Sequence, residues 1–156
     1  MQNIAGICRH INSSSRTTNP PMTEHHKHPD VTVLLPSYNE ERSIGTTISN
    51  IRRLHPEFEI LVVDDGSTDN TRTEALNAGA RVHSHPYNIG NGAAVKTGIR
   101  QAAGEWVLMM DADGQHSPED ISGLLGYKDT FDMVVGARTK ASDTSMHRDL
   151  ANFAYN

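Results

Sequence analysis

The chain has 156 residues, a formal net charge of −5 and 21% charged residues. That length suits one domain with a real core, and the mild acidity excludes a broad basic face for nucleic acid while leaving room for a phosphorylated small ligand. One cysteine, Cys8, rules out an intrachain disulfide and reads as intracellular, and no run reaches the ~18 apolar residues of a membrane span or the apolar stretch of a signal peptide.

Residues 1–30 are rich in Ser, Thr, Asn, His and Pro and lack a hydrophobic period, which predicts a disordered polar tail before one ordered domain over 31–156. In that tail Cys8 reads as an inert thiol, and His25, His26 and His28 as an incidental cluster. The apolar, β-branched run 31–35 predicts a strand ended by Pro36. From 41 to 54 the period changes. Ile44, Ile48, Ile51 and Leu54 make one apolar helical face, with Glu40 and Glu41 at its positive end and Pro56 beyond it. Residues 59–63 predict the second strand, and Ser67 or Thr68 would cap a helix over 71–77 that Gly79 closes. A weaker strand comes next at 81–85, then a helix at 93–103 closed by Gly104, then a central buried strand at 106–110. Ser117 and Pro118 open a helix toward Leu125; 131–135 is a further strand leading to Arg138. A last helix over 145–155 carries Met146, Leu150 and Phe153 near one face. This alternation predicts an α/β fold, a mostly parallel sheet with helices on both faces.

Polar clusters at 36–40, 64–67, 88–92 and 111–115 lie directly after four of these strands. In a parallel sheet, ends of the same sense share one edge, so at least three clusters should converge in a cleft. Asp111 and Asp113 carry the most weight. They alternate on an extended segment and so share a face, and carboxylates at the end of so apolar a strand are costly unless a cation meets them. With Gln115 near, an oxygen-only donor set points to Mg²⁺ or Mn²⁺ rather than zinc; an Asx-rich turn is the alternative. His116 reads as a surface loop residue. Asp64 and Asp65 point apart: one can accept from a ribose diol or a base N–H while the other braces the turn, or both are turn formers. Tyr38 suits stacking on a base, and Glu40 either accepts from a ribose or caps its helix. The 88–92 segment lacks the Walker and dinucleotide fingerprints, yet Gly90 and Gly92 permit close backbone approach. Lys96 either meets a phosphate or covers its helix, and Arg138 either grips a phosphate or forms a surface ion pair.

Together these motifs resemble the inverting family 2 glycosyltransferases, which have the GT-A nucleotide-binding fold. Val33-Leu-Leu-Pro-Ser-Tyr-Asn-Glu40 is similar to their opening strand, and Val62-Val-Asp-Asp-Gly-Ser-Thr-Asp69 to their second. Asn88-Ile-Gly-Asn-Gly-Ala-Ala-Val-Lys96 resembles their central loop and helix. Met110-Asp-Ala-Asp-Gly-Gln115 resembles their metal motif, and Val135-Gly-Ala-Arg138 the next strand end. The subgroup it looks most like is the dolichyl- or polyprenyl-phosphate mannose or glucose synthases.

The resemblance implies that Pro36, Tyr38, Glu40 and Asp65 hold the nucleoside, and that Asn88, Gly92, Lys96 and Asp111 extend the nucleotide-sugar site. It implies that Asp111, Asp113 and Gln115 hold Mg²⁺ or Mn²⁺ against the diphosphate. Asp113 and Arg138 would then act at the reacting centre. The implied reaction is metal-dependent, inverting transfer of a hexose from GDP-mannose or UDP-glucose to a polyprenyl or dolichyl phosphate. It would occur in the cytoplasm, at the cytoplasmic face of a membrane, with no nucleic acid partner. Family members continue past the fifth strand with acceptor-side elements, so that region is expected to be incomplete here, and membrane contact is expected through C-terminal elements beyond residue 156. Transfer to a glycan hydroxyl, a noncatalytic nucleotide-binding fragment, and an α/β domain for other phosphorylated ligands stay open as other readings.

Overall fold

The computed structural model describes residues 6–9, 29–112 and 120–136. In chain order these form β1 (Gly6–Arg9), β2 (Val31–Ser37), α1 (Ile44–Leu54), β3 (Glu59–Asp64) and α2 (Thr71–Asn77). Then come β4 (Arg81–Ser84), α3 (Asn91–Gln101), β5 (Trp106–Met109), α4 (Asp120–Leu125) and β6 (Met133–Val135). Among the described residues the strands make one six-stranded sheet in the order β4-β3-β2-β5-β1-β6. β2 runs parallel to β3 and β5, and β3 parallel to β4, while β1 is antiparallel to both of its neighbours.

Both faces of the sheet are covered, which is why β2 is a continuous apolar run rather than an alternating one. Val31, Val33 and Leu35 of β2 pack with Ile44, Ile48 and Ile51 of α1, Ala75 of α2 and Ile121 of α4. Leu34, on the opposite pleat, packs with Leu61, Val63 and Val107 under Ala94 of α3. The three isoleucines of α1 are fully buried, as their helical spacing predicts, and each contributes about 1.5–3 kcal/mol of burial. α3 sits close on the sheet because Gly98 has no side chain: a Cβ there would collide with the Leu34 methyl groups. The expected α/β architecture is therefore present, with α1, α2 and α4 on one face and α3 on the other.

Several elements differ from the sequence expectation. The polar tail expected through residue 30 contains β1, which sits inside the sheet between β5 and β6. Ile7 is 1% exposed and joins the α1-side core, and Cys8 is half-buried against the α3-side core. Four residues give no hydrophobic period, so the Ser, Thr and His around them dominate the composition. β2 also runs through Pro36 instead of ending there. Leu34 O accepts from Met110 N and Ser37 O accepts from Asp65 N, so even-numbered residues of β2 face β5 and odd-numbered ones face β3. The missing N–H of Pro36 thus points where the β5 ladder has already stopped, at Leu34. Ser67 and Thr68 do not cap α2; Asn70 stands at the cap position, and Thr71 N donates to Asp69 Oδ1 instead. α3 begins and ends two residues earlier than expected, and Gly104 serves a different need. Its Cβ would lie 2.6 Å from Thr32 N, so glycine permits the approach of chain to β2. Expectations for Asp113, Gln115, His116, Ser117, Pro118, Arg138, the 145–155 helix and the histidines at 25, 26 and 28 lie outside the described residues.

Candidate functional site

The parallel strands β2, β3, β4 and β5 end on one edge, and hydrogen bonds tie the loops there into a single cluster. The loop after β2 is fastened to the loop after β3 by donors running both ways. Asn39 N donates to Ser67 Oγ at 3.0 Å, and Thr68 N donates to Asn39 Oδ1 at 2.9 Å. Glu40 N donates to Thr71 Oγ1 at 2.7 Å, Glu41 N to Asp69 Oδ2 at 3.2 Å, and Asn70 N back to Glu41 Oε2 at 3.1 Å. Asn39 sits at φ 56°, a left-handed conformation that asparagine tolerates better than most residues. Thr47 Oγ1 of α1 reaches the carbonyl of Ala112, which joins the loop after β5 to the same face.

Asp65 is the hub between the second and third loops. It is 3% exposed and its carboxylate meets three donors. His85 Nδ1 lies 2.6 Å from Oδ1, Ile89 N donates to Oδ1 at 3.1 Å, and Gly90 N donates to Oδ2 at 2.6 Å. Burial works against its charge, but the His85 bond and the two backbone N–H groups outweigh that and hold the carboxyl below the ordinary range. Asp64, its neighbour, braces the turn: its Oδ1 accepts from Ser67 N at 3.0 Å. The two carboxylates therefore brace different partners, Asp64 its own turn and Asp65 the loop after β4. Gly66 comes next at φ 69°, and a Cβ there would overlap the backbone of Tyr87 and Asn88. The third loop is thus pressed directly onto the end of β3.

The structure brings most of the predicted residues to this edge. Pro36 is half-buried in β2, and Tyr38 lies just beyond it, 45% exposed, an aromatic face turned to solvent beside the loop cluster. Glu40 serves the start of α1: its carbonyl accepts from Ser43 N and Ile44 N, and its Oε2 accepts from Ser43 Oγ at 2.7 Å. Asn88 and Gly92 are exposed at the entry to α3, where a Cβ on Gly92 would meet nothing within 4 Å. Lys96 is exposed on α3, and Asp111 is half-buried one residue past the fully covered Met110. Asp113, Gln115 and Arg138 lie outside the described residues, and among those described no three His, Cys, Asp or Glu side chains gather as a metal group. A cavity of about 310 Å³ at the opposite edge, near Arg9, Asp30, Glu105 and Lys128, and one of about 450 Å³ between α1 and α2 contain none of the predicted ligand residues. His85, Thr97, Asn39, Asp69 and Thr71 were not singled out from sequence. Their partners come from distant loops, so no local pattern in the sequence marks them.

Known proteins resemble this chain in sequence and fold. The sequence model described as Glycosyl transferase family 2 matches residues 32–154. The chain belongs to glycosyl transferase family 2. The undecaprenyl-phosphate 4-deoxy-4-formamido-L-arabinose transferase of Proteus mirabilis is 34% identical over 133 residues, covering 78% of this chain and 40% of that protein. The glucosyl-3-phosphoglycerate synthase of Mycobacterium tuberculosis, solved with Mn²⁺, UDP-glucose and phosphoglyceric acid, superposes with a TM-score of 0.57 at 31% identity. That match covers 65% of this chain and 40% of the other. The mannosyltransferase PcManGT of Pyrobaculum calidifontis, in complex with GDP-Man and Mn²⁺, gives a TM-score of 0.51 at 31% identity over 56% of this chain and 28% of its own. The fold is of the GT-A type, and this family 2 chain spans 40–56% of the length of the first curated relatives it matches. No described helix is long and apolar enough to cross a membrane.

Proposed function

We propose that this family 2 chain binds a nucleotide-sugar donor along the β2–β5 edge and takes part in hexose transfer to a polyprenyl phosphate. The observation that carries this reading is the gathering of the 37–41, 64–71 and 85–90 loops around buried Asp65, beside exposed Tyr38. The loop cluster offers an aromatic face for a base and a carboxylate for a base N–H or a ribose hydroxyl. The donor class is supported by the nucleotide-sugar complexes of two similar enzymes, and the acceptor class by the undecaprenyl-phosphate transferase.

Asp111 stands half-buried directly after Met110, whose amide is fixed to Leu34 O. It therefore begins the acidic segment from a rigid strand end. With Asp113 and Gln115 it would supply oxygen donors of the kind Mg²⁺ and Mn²⁺ prefer. When bound, such an ion would neutralise charge on the leaving nucleoside diphosphate. Arg138 would add a bidentate donor to those phosphates. An acceptor phosphate oxygen attacks the anomeric carbon, the bond to the diphosphate breaks, and the configuration inverts. The acceptor is already anionic, so little general-base help is needed.

Calorimetry with GDP-mannose and UDP-glucose, with and without Mn²⁺, tests the donor site. Metal-dependent binding that disappears in Asp113→Ala is the expected result. Binding of neither donor at any metal concentration rejects the reading. Transfer to a hydroxyl is a second reading, favoured by the phosphoglyceric acid in the similar synthase. It would require a general base, and radiolabelled transfer to a polyprenyl phosphate or to a hydroxyl acceptor separates the two.

A further inference from the structure

The donor site as proposed gives no task to His85 or Thr97, yet both are locked into its centre. The His85 side chain is 8% exposed. Its Nδ1 lies 2.6 Å from Asp65 Oδ1 and its Nε2 lies 2.9 Å from Thr97 Oγ1 on α3. An ionised carboxylate only accepts hydrogen bonds, so Nδ1 carries the hydrogen and donates. In the neutral ring Nε2 is then the acceptor for the Thr97 hydroxyl. The His85 main chain is held as well, its N–H donating to Asp64 O at 2.8 Å. The His83 ring lies against it in a T-shaped arrangement, with centroids 5.9 Å apart.

Counting lone pairs shows what this arrangement leaves for a ligand. A carboxylate has about four acceptor sites, two on each oxygen. Oδ1 of Asp65 takes His85 and Ile89, and Oδ2 takes Gly90 alone. The remaining acceptor capacity is on Oδ2, and its direction depends on how the carboxylate is rotated. The backbone donors Ile89 and Gly90 belong to a surface loop, whereas His85 is clamped at both its main chain and its ring.

We propose that His85 is a positioning residue for nucleotide recognition. It fixes the rotation of the Asp65 carboxylate, so that Oδ2 meets a base N–H or ribose hydroxyl, and it seats α3 through Thr97. This rests on the nucleotide-sugar reading of the same edge. Replacing the ring by an apolar one leaves Asp65 buried with two donors instead of three, and leaves Thr97 without its partner.

The test measures UDP and GDP affinity with Mn²⁺ by calorimetry for the whole chain and for His85→Phe, His85→Asn and Thr97→Val. Folding is monitored by circular dichroism and thermal midpoint. His85→Phe is expected to stay folded and to bind nucleotide about tenfold more weakly, the effect of one charge-assisted hydrogen bond. His85→Asn, whose amide N–H stands near the place of Nδ1, should recover most of the affinity. Thr97→Val should give a smaller loss of about threefold, since it removes one neutral hydrogen bond. Imidazole ¹⁵N shifts of the unaltered chain should show Nδ1 protonated. A His85→Phe protein that binds as tightly as the unaltered chain overturns the proposal, as does an imidazole protonated at Nε2 alone. Should His85→Phe fail to fold, undiminished affinity in Thr97→Val overturns it. If the unaltered chain binds no nucleotide, the donor-site reading itself falls; if it binds and the variants match it, only the role of His85 falls.

Discussion

Asp65 Oδ2 accepts the amide hydrogen of Gly90 at 2.6 Å, which ties the end of β3 to the first residue before α3. One carboxylate thereby sets the position of a helix 25 residues further along the chain. The arrangement is strongest while the carboxylate is charged, because each of its main-chain partners is a donor.

Asp65→Asn should therefore destabilise the protein in a pH-dependent way. The folded carboxyl titrates below its unfolded value of ~3.9, so its stabilising contribution is complete above that value and is lost as pH falls through the folded one. At pH 7 the substitution is expected to cost about 1–3 kcal/mol in urea unfolding, with the gap closing toward acid. A gap of constant size from pH 7 to the acid limb would show that the charge is not what matters.

Gly66 and Gly92 should respond oppositely to alanine. At Gly66 the φ of 69° and the Tyr87 backbone both oppose a side chain. Gly66→Ala should cost at least ~2 kcal/mol and displace the third loop. At Gly92 there is open space within 4 Å and the residue lies in α3, so alanine should stabilise by ~0.5 kcal/mol. If the donor approaches the backbone there, the same Gly92→Ala protein will bind it less well while melting higher. Thermal midpoints and donor titration on the two variants check this pair.

Metal dependence should pass through Asp111. Chelation is expected to weaken donor binding about tenfold or more in the unaltered chain, the loss of one strong ionic contact to the diphosphate. Asp111→Asn should show little further loss on chelation. Equal sensitivity to chelator in both proteins would move the ion elsewhere.

Cys8 reports on β1. Its half-burial pushes the thiol above the ordinary value, so the thiolate is scarce near neutral pH. Alkylation at pH 8 should be slow in the folded chain and rise to the free-thiol rate in urea. Rapid alkylation without denaturant would mean that β1 does not occupy its place in the sheet.

Much of this was legible from local patterns. The Ile44, Ile48, Ile51 face and the apolar β2 and β5 runs declare themselves because burial repeats with the period of the element. The strand-end clusters were legible for the same reason: once the strands are parallel, their ends must share an edge. What escaped was the wiring between loops. Ser67 and Thr68 are residue types that suit a helix cap, but tertiary contacts recruited them to Asn39 across 28 and 29 positions of sequence. Asp65 meets main-chain N–H groups, which every residue but proline owns, so no side-chain pattern could point to Ile89 and Gly90. β1 escaped because its neighbours in sequence say nothing of its neighbours in space.

That strand has one more effect. Among the described residues β6 pairs with β1 and with no other strand, and Gly6 stands opposite both Met109 and Val135. The family match begins at residue 32, so a protein trimmed to it would lose the splint between two of its own ribbons. One flank of β5 would stand bare, with amide and carbonyl groups ready to recruit a stranger. Trimmed preparations are expected to self-associate more than the whole chain on size-exclusion chromatography, because the four residues Gly6–Arg9 cover that flank.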